Sequence, residues 1–263
     1  MIENFLRVYN PNKENIVTIK MQIEDIAPTG EEGFVVVEPP ETETYSLAGW
    51  IKVEPEEFNL NPEEEHFVKF TVTIPENAEP GGHYGTVVAG TRVLAGPAAT
   101  GAAIIQRVGA LVLLTVPGEM REELVVKEFT APRYSEQGPI PFIIRFENKG
   151  TIHVKPSGFI TITNWLGQKV ENISFSSRNV LPGAVRKFET SLDKKWFWAG
   201  KYTATLTGSY GLLNTPLTPT VITFWAFPWK AGLGMSVIII LLILSRKRWL
   251  AAFRVLIKGE GRS

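Results

Sequence analysis

Before residue 224, no segment of the chain repeats its apolar residues at helical spacing; short alternating runs take their place. FLRVYN, NIVTIKMQIEDI, FVVVE, FVKFTVTI, YGTVVAGTRV, GALVLLTV, ELVVKEFT, PFIIRFEN, GFITITN, KFETSL, YTATLTGSY and PTVITFWA are separated by Pro, Gly and Asn. A period of two puts apolar side chains on one face of a pleated strand. Many short strands at such spacing predict an all-β sandwich or barrel. The 263 residues suffice for two domains of ordinary size.

The two halves repeat one pattern. Leu6-Arg7-Val8-Tyr9-Asn10 matches Ile144-Arg145-Phe146-Glu147-Asn148, and each run stops at an Asn that opens a turn. Asn tolerates left-handed backbone and bonds its own chain, so it suits such a corner. Asn61-Pro62 then precedes FVKFTV, and Leu181-Pro182-Gly183 precedes VRKFET. A turn ending in Gly-x-Tyr follows in both, at Gly82-His83-Tyr84 and Gly200-Lys201-Tyr202. These matches predict two immunoglobulin-like β-sandwiches, residues 1–117 and 118–223, joined at Val116-Pro117-Gly118 with almost no linker. Asn10 to Pro62 spans 52 residues and Asn148 to Pro182 only 34. The excess is expected in Pro28–Trp50, a Pro-rich acidic stretch that reads as an exposed loop. Copy two has an opening strand before its Asn corner for which copy one has no match. Either sequence upstream of Met1 or a partner is expected to supply that strand, since an unpaired edge is a liability.

The C-terminal part differs. Phe224–Ser245 reads FWAFPWKAGLGMSVIIILLILS, with no charge from Ala231 to Leu244. Trp225, Trp229 and Lys230 flank one end and Arg246, Lys247 and Arg248 the other. Aromatic and basic flanks around an apolar run predict a single transmembrane helix at 224–245. The basic tail, 246–263, is then cytoplasmic and the sandwiches lie outside the cell. Met1 is not followed by a basic and apolar export signal, a second reason to expect sequence upstream.

Charge is uneven although the total is zero: residues 1–118 carry a net −10, 119–225 a net +4 and 226–263 a net +6. An acidic N-terminal half argues against nucleic acid. No cysteine is present, which excludes disulfides and thiolate chemistry. His66, His83 and His153 show no metal-ligand spacing, and no phosphate loop or nucleophile elbow occurs. No cofactor, metal or catalytic residue is expected, and the oligomeric state is not readable.

Thr71–Thr91, TVTIPENAEPGGHYGTVVAGT, resembles the WxL-protein peptidoglycan-binding domain of bacterial surface proteins, whose strand pair carries a similar P-x-x-A-x-P-G-x-Y-x-G run. Gly49-Trp50-Ile51 fits the same family. Glu147–Gln168 and WFWAGKYTATL are similar to its second sandwich. The resemblance implies peptidoglycan contact by the first domain and contact with another surface protein by the second. Trp50, His83 and Tyr84 are then candidates near a glycan site. Trp196 and Trp198 are either buried or form an exposed stacking pair. The expected function is a membrane-anchored, non-enzymatic binding protein of the cell surface. Its rivals are a structural stalk and a chaperone-like module whose open edge captures a strand.

Overall fold

The computed structural model describes residues 1–36, 45–93, 105–194 and 199–259. The chain is all-β up to residue 226 and ends in one helix. The first set of strands is β1 (Ile2–Tyr9), β2 (Val17–Asp25), β3 (Ala27–Thr29), β4 (Phe34–Val36), β5 (Ile51–Glu54), β6 (Glu57–Leu60), β7 (Glu65–Val72), β8 (Gly81–Val93) and β9 (Ile105–Val116). The second set is β10 (Leu124–Thr130), β11 (Tyr134–Ser135), β12 (Ile140–Asn148), β13 (Ser157–Thr163), β14 (Lys169–Ser174), β15 (Val185–Leu192), β16 (Gly200–Tyr210), β17 (Thr215–Pro216) and β18 (Thr220–Ala226). Helix α1 runs from Trp229 to Gly259.

Each set makes two facing sheets. The first sandwich pairs β1-β7-β5 with β6-β2-β8-β9; the second pairs β10-β12-β15 with β11-β18-β16-β13-β14, and β17 adds to β16. The alternation in the sequence sets which side chains face inward. Val17, Ile19, Met21, Val68, Val72 and Val87 fill the first core, and Phe142, Ile144, Phe146, Ile160, Ile162, Leu206 and Phe224 the second.

The expected repeat is present down to its hydrogen bonds. Asn148 Nδ2 donates to the Ile152 and Val180 carbonyls, both at 2.8 Å, and Asn148 Oδ1 accepts from the Gly150 amide. Asn10 Nδ2 donates to the carbonyls of Asn15, Leu60 and Asn61, and its Oδ1 accepts from the Asn12 amide. Each Asn thus ties its corner to a segment distant in sequence, Leu60 of β6 for Asn10 and Val180 for Asn148, through a side chain that is almost fully buried.

The inserted stretch differs from an exposed loop. It forms most of the β3–β4 hairpin and, at its end, the Ala48–Trp50 turn that leads into β5. The hairpin reaches the second sandwich. Glu31 accepts from Arg145 Nε at 2.6 Å, Glu32 lies 2.6 Å from Lys187 Nζ, and the Lys187 amide donates to the Glu31 carbonyl at 2.7 Å. Its acidic residues find basic partners more than a hundred positions away, so they read as solvated until the fold is known. The segments 37–44 and Gly96–Ala103, the latter read as a hairpin loop, contain residues outside those described.

The transmembrane expectation is corrected. Among the described residues, no helix is long and apolar enough to cross a membrane. The expected span took its first residues from a strand. Phe224 and Ala226 lie on β18 and are fully buried in the second core. The helix starts only at Trp229, and Lys230 Nζ pairs with Glu136 of the sandwich at 2.8 Å. Between Lys230 and Arg246 the uncharged helix measures about 22 Å at about 1.5 Å per residue, against about 30 Å of hydrocarbon. The single-pass topology, the extracellular placement of the sandwiches and the cytoplasmic tail rested on that span and fall with it. Trp225 and Trp229 are about half exposed and Arg246 is exposed; Lys247 and Arg248 lie on the helix backbone.

Candidate functional site

Two places in the molecule are built unlike a plain structural sandwich. The first is the edge of β1. The shared Asn corner aligns β1 with β12, β2 with β13, β7 with β15 and β8 with β16. In the second sandwich β12 has two neighbours, β10 and β15; in the first, β1 has one, β7. No described strand stands where β10 would. The consequence is visible in burial. Ile140, Phe142, Ile144 and Phe146 of β12 are all 0% exposed, covered in part by Leu124 and Phe129 of β10. Their counterparts are Ile2, Asn4, Leu6 and Val8. Ile2 is 46% exposed, Asn4 is exposed, and Leu6 and Val8 are only partly buried.

Backbone direction follows from the ladder. The Asn10 amide donates to the Glu64 carbonyl at 2.9 Å. Antiparallel strands alternate, so Val8, Leu6 and Asn4 also turn their N–H and C=O toward β7. Glu3, Phe5, Arg7 and Tyr9 turn theirs toward the free edge. The Phe5 amide is met by the side chain of Asn4 at 2.8 Å. Strand β9 is the corresponding edge of the facing sheet. A cavity of about 340 Å³, lined by Tyr9, Asn10, Val17, Ile19, Thr91 and Gln106, opens between the two edges. In the second sandwich one segment serves both edges: β10 pairs β12 antiparallel, and β11 then pairs β18 parallel.

The second place is the junction of the sandwiches, where three of the candidate residues lie. Trp50 ends a short 3-10 turn, Ala48–Trp50, and packs on His83 with ring centroids 4.3 Å apart. Asp25 fixes that turn by accepting from the Leu47 and Ala48 amides at 2.9 and 2.8 Å. His83 is buried, with the Ser46 and Glu79 carbonyls at 3.0 and 2.9 Å from its ring nitrogens. Tyr84 is buried too. Its hydroxyl accepts from the His153 amide at 2.8 Å and lies 3.3 Å from His153 Nδ1. Gly82 has no side chain because the Tyr84 hydroxyl occupies that space, and its amide donates to the Thr151 carbonyl at 3.1 Å. Burial pushes the Tyr84 phenol above its ordinary range and the His153 imidazole below its own. The Gly-x-Tyr turn therefore couples to the Asn turn of copy two. Trp196 and Trp198 lie outside the described residues. His66 packs on Phe58 at 4.8 Å. Among the described residues no group of three His, Cys, Asp or Glu side chains could hold a metal.

Beside the junction a cavity of about 300 Å³ lies under the β3–β4 hairpin, with Arg178 and Arg186 of the second sandwich at its wall. Sequence reasoning passed over both arginines. Arg186 stood in VRKFET as one more strand residue, and what surrounds it comes from Ile26, the hairpin and β9.

No family model matches the chain, and no curated protein does. Solved structures resembling it include several chaperones. One is the class 5 fimbriae chaperone CfaA, at 15% identity and a TM-score of 0.40, covering 86% of this chain and 93% of that one. Another is the E. coli chaperone DraB, at 12% identity and a TM-score of 0.36, covering 86% and 90%. A third is the Pseudomonas aeruginosa CupB2 chaperone, at 12% and 0.33, covering 84% and 91%. The expected membership of the WxL peptidoglycan-binding family is corrected: no family model, that one included, matches the chain. Peptidoglycan contact, wall binding and a membrane-anchored role at the cell surface, or as a membrane stalk, lose their support with it.

Proposed function

We propose that the chain is a non-enzymatic protein-binding module of two domains, divided near Val116–Gly118, that captures an extended segment of a partner protein on the open side of its first sandwich. The observation behind this reading is the contrast between β1, with one neighbour, and β12, with two. Strand addition supplies main-chain hydrogen bonds, and alternate side chains drop into the exposed seam. The way β10 and β11 serve the second sandwich defines the guest. It is extended, antiparallel to β1, with apolar residues spaced like Leu124, Val126 and Phe129, alternate except for one bulge, and long enough to cross toward β9.

Proline separates this edge from the rest of the fold. Arg7 turns its N–H outward, so Arg7→Pro removes a bond a guest would use and leaves the β1–β7 ladder intact. Leu6→Pro breaks that ladder. A fluorescent peptide with the sequence of residues 122–135 is titrated against the full chain. Saturable binding that Arg7→Pro abolishes, at unchanged thermal stability, supports strand capture. No binding, or binding indifferent to Arg7→Pro, refutes it.

A further inference from the structure

The cavity between the sandwiches has apolar walls and two guanidinium groups that no carboxylate among the described residues balances. Ile26, Phe34, Val35, Leu111 and Leu113 of the first sandwich and Leu181 of the second supply the apolar lining. Arg186 enters on β15. Its Nη1 donates to the Asn179 carbonyl, but Nε is buried and has no hydrogen-bond partner. Such an orphaned donor is costly, and more so when charged. The backbone makes room for it: Gly33, at φ +80°, lies where a β-carbon would overlap the Arg186 guanidinium. Glu31 and Glu32 of the same hairpin are engaged elsewhere, Glu31 by Arg145 and Glu32 by Lys187. Arg178, on the same wall, adds a like charge. Burial first, and Arg178 second, lower the pKa of Arg186.

Two unbalanced guanidinium groups beside an apolar chamber specify an amphiphilic anion. Arginine presents its donors as a fork that matches a carboxylate. The volume, near the lower end of ligand pockets, suits a small body. We propose that this cleft binds an organic carboxylate with a short apolar tail, the carboxylate received by Arg186 and Arg178 and the tail by Phe34, Val35, Leu111 and Leu113. The site stands apart from the β1 edge and does not depend on strand capture. The carboxylate can be that of a short fatty acid or of a polypeptide ending in an apolar residue.

Calorimetry on the full chain tests the site with octanoate, octylamine, and a pentapeptide ending in leucine as free acid or as amide. Octanoate is expected to bind and octylamine not to. Arg186→Gln weakens octanoate by about tenfold, since it removes the buried charged donor, and Arg178→Gln by about threefold, since Arg178 is exposed at the mouth of the cleft and water screens it. Arg186→Lys, which keeps the charge but not the fork, falls between. Binding of the free-acid peptide, but not its amide, identifies a chain terminus as the natural source; octanoate alone identifies a small acid. In the unaltered protein the Arg186 Nε–H resonance shifts on adding octanoate, so the result does not depend on any variant folding. Equal binding of octanoate and octylamine, full affinity in Arg186→Gln, or an unmoved Arg186 resonance overturns the proposal.

Discussion

Replacing Asn148 by alanine is expected to harm the protein far more than replacing Asn10, although the two residues do the same work. Asn148 is 0% exposed. Without its amide, the Ile152 carbonyl and the Gly150 amide lose their side-chain partner, and the Val180 carbonyl keeps only the Val154 amide. A buried polar group left unpaired costs about 1–3 kcal/mol, and local relaxation recovers part of the sum. About 3–5 kcal/mol is therefore expected for Asn148→Ala. Asn10 leaves the Asn15, Leu60 and Asn61 carbonyls and the Asn12 amide. It also lines the cavity beside the β1 edge, where water can take over the lost bonds. About 1–2 kcal/mol is expected there. Urea titration followed by tryptophan fluorescence and by circular dichroism measures both variants. The two sandwiches need not unfold together, so each variant is read on the transition that it moves. An Asn10→Ala loss as large as that of Asn148→Ala, or an Asn148→Ala loss under about 1 kcal/mol, would refute the reasoning.

Three further outcomes follow from the junction. Tyr84→Phe leaves the His153 amide without its acceptor and is expected to cost about 1–2 kcal/mol in the same titrations. Spectrophotometric titration should find one tyrosine that resists ionisation beyond the usual phenol range. The folded pKa of Tyr84 is raised, so its contribution to stability is complete below about pH 10 and declines as pH rises further. His153 has the opposite dependence. Burial lowers its folded pKa, so the unfolded chain takes up the proton first. Its stability contribution is complete above about pH 6.5 and declines as pH falls toward the folded value. His153→Gln should flatten that slope, measured as denaturation midpoints between pH 5 and 7.

What could be read from the sequence was what local chemistry controls. Alternation in PFIIRFEN gave the buried face of β12, and the Asn corners showed the repeat because the same turn residue closes the same kind of strand in both copies. Three features were hidden for the opposite reason. Glu31 and Glu32 looked solvated because Arg145 and Lys187 lie far along the chain. The tie from Tyr84 to the second sandwich gave no sign because its partner, His153, belongs to the other copy. Phe224 and Ala226 looked like the start of a membrane span because a hydropathy count cannot tell a buried strand from a lipid-facing helix. Arg186 gave no signal, since its orphaned Nε is a property of packing alone.

The most direct measurement is amide hydrogen exchange at Tyr9 and its counterpart Glu147 in the unaltered chain. Glu147 lies opposite Val125 of β10, whereas Tyr9 turns its amide away from β7 to an edge with no neighbour among the described residues. Tyr9 should exchange orders of magnitude faster than Glu147, and slow to a similar rate when the residue 122–135 peptide is added. A Tyr9 amide already as slow as that of Glu147 in the free protein would contradict an open edge.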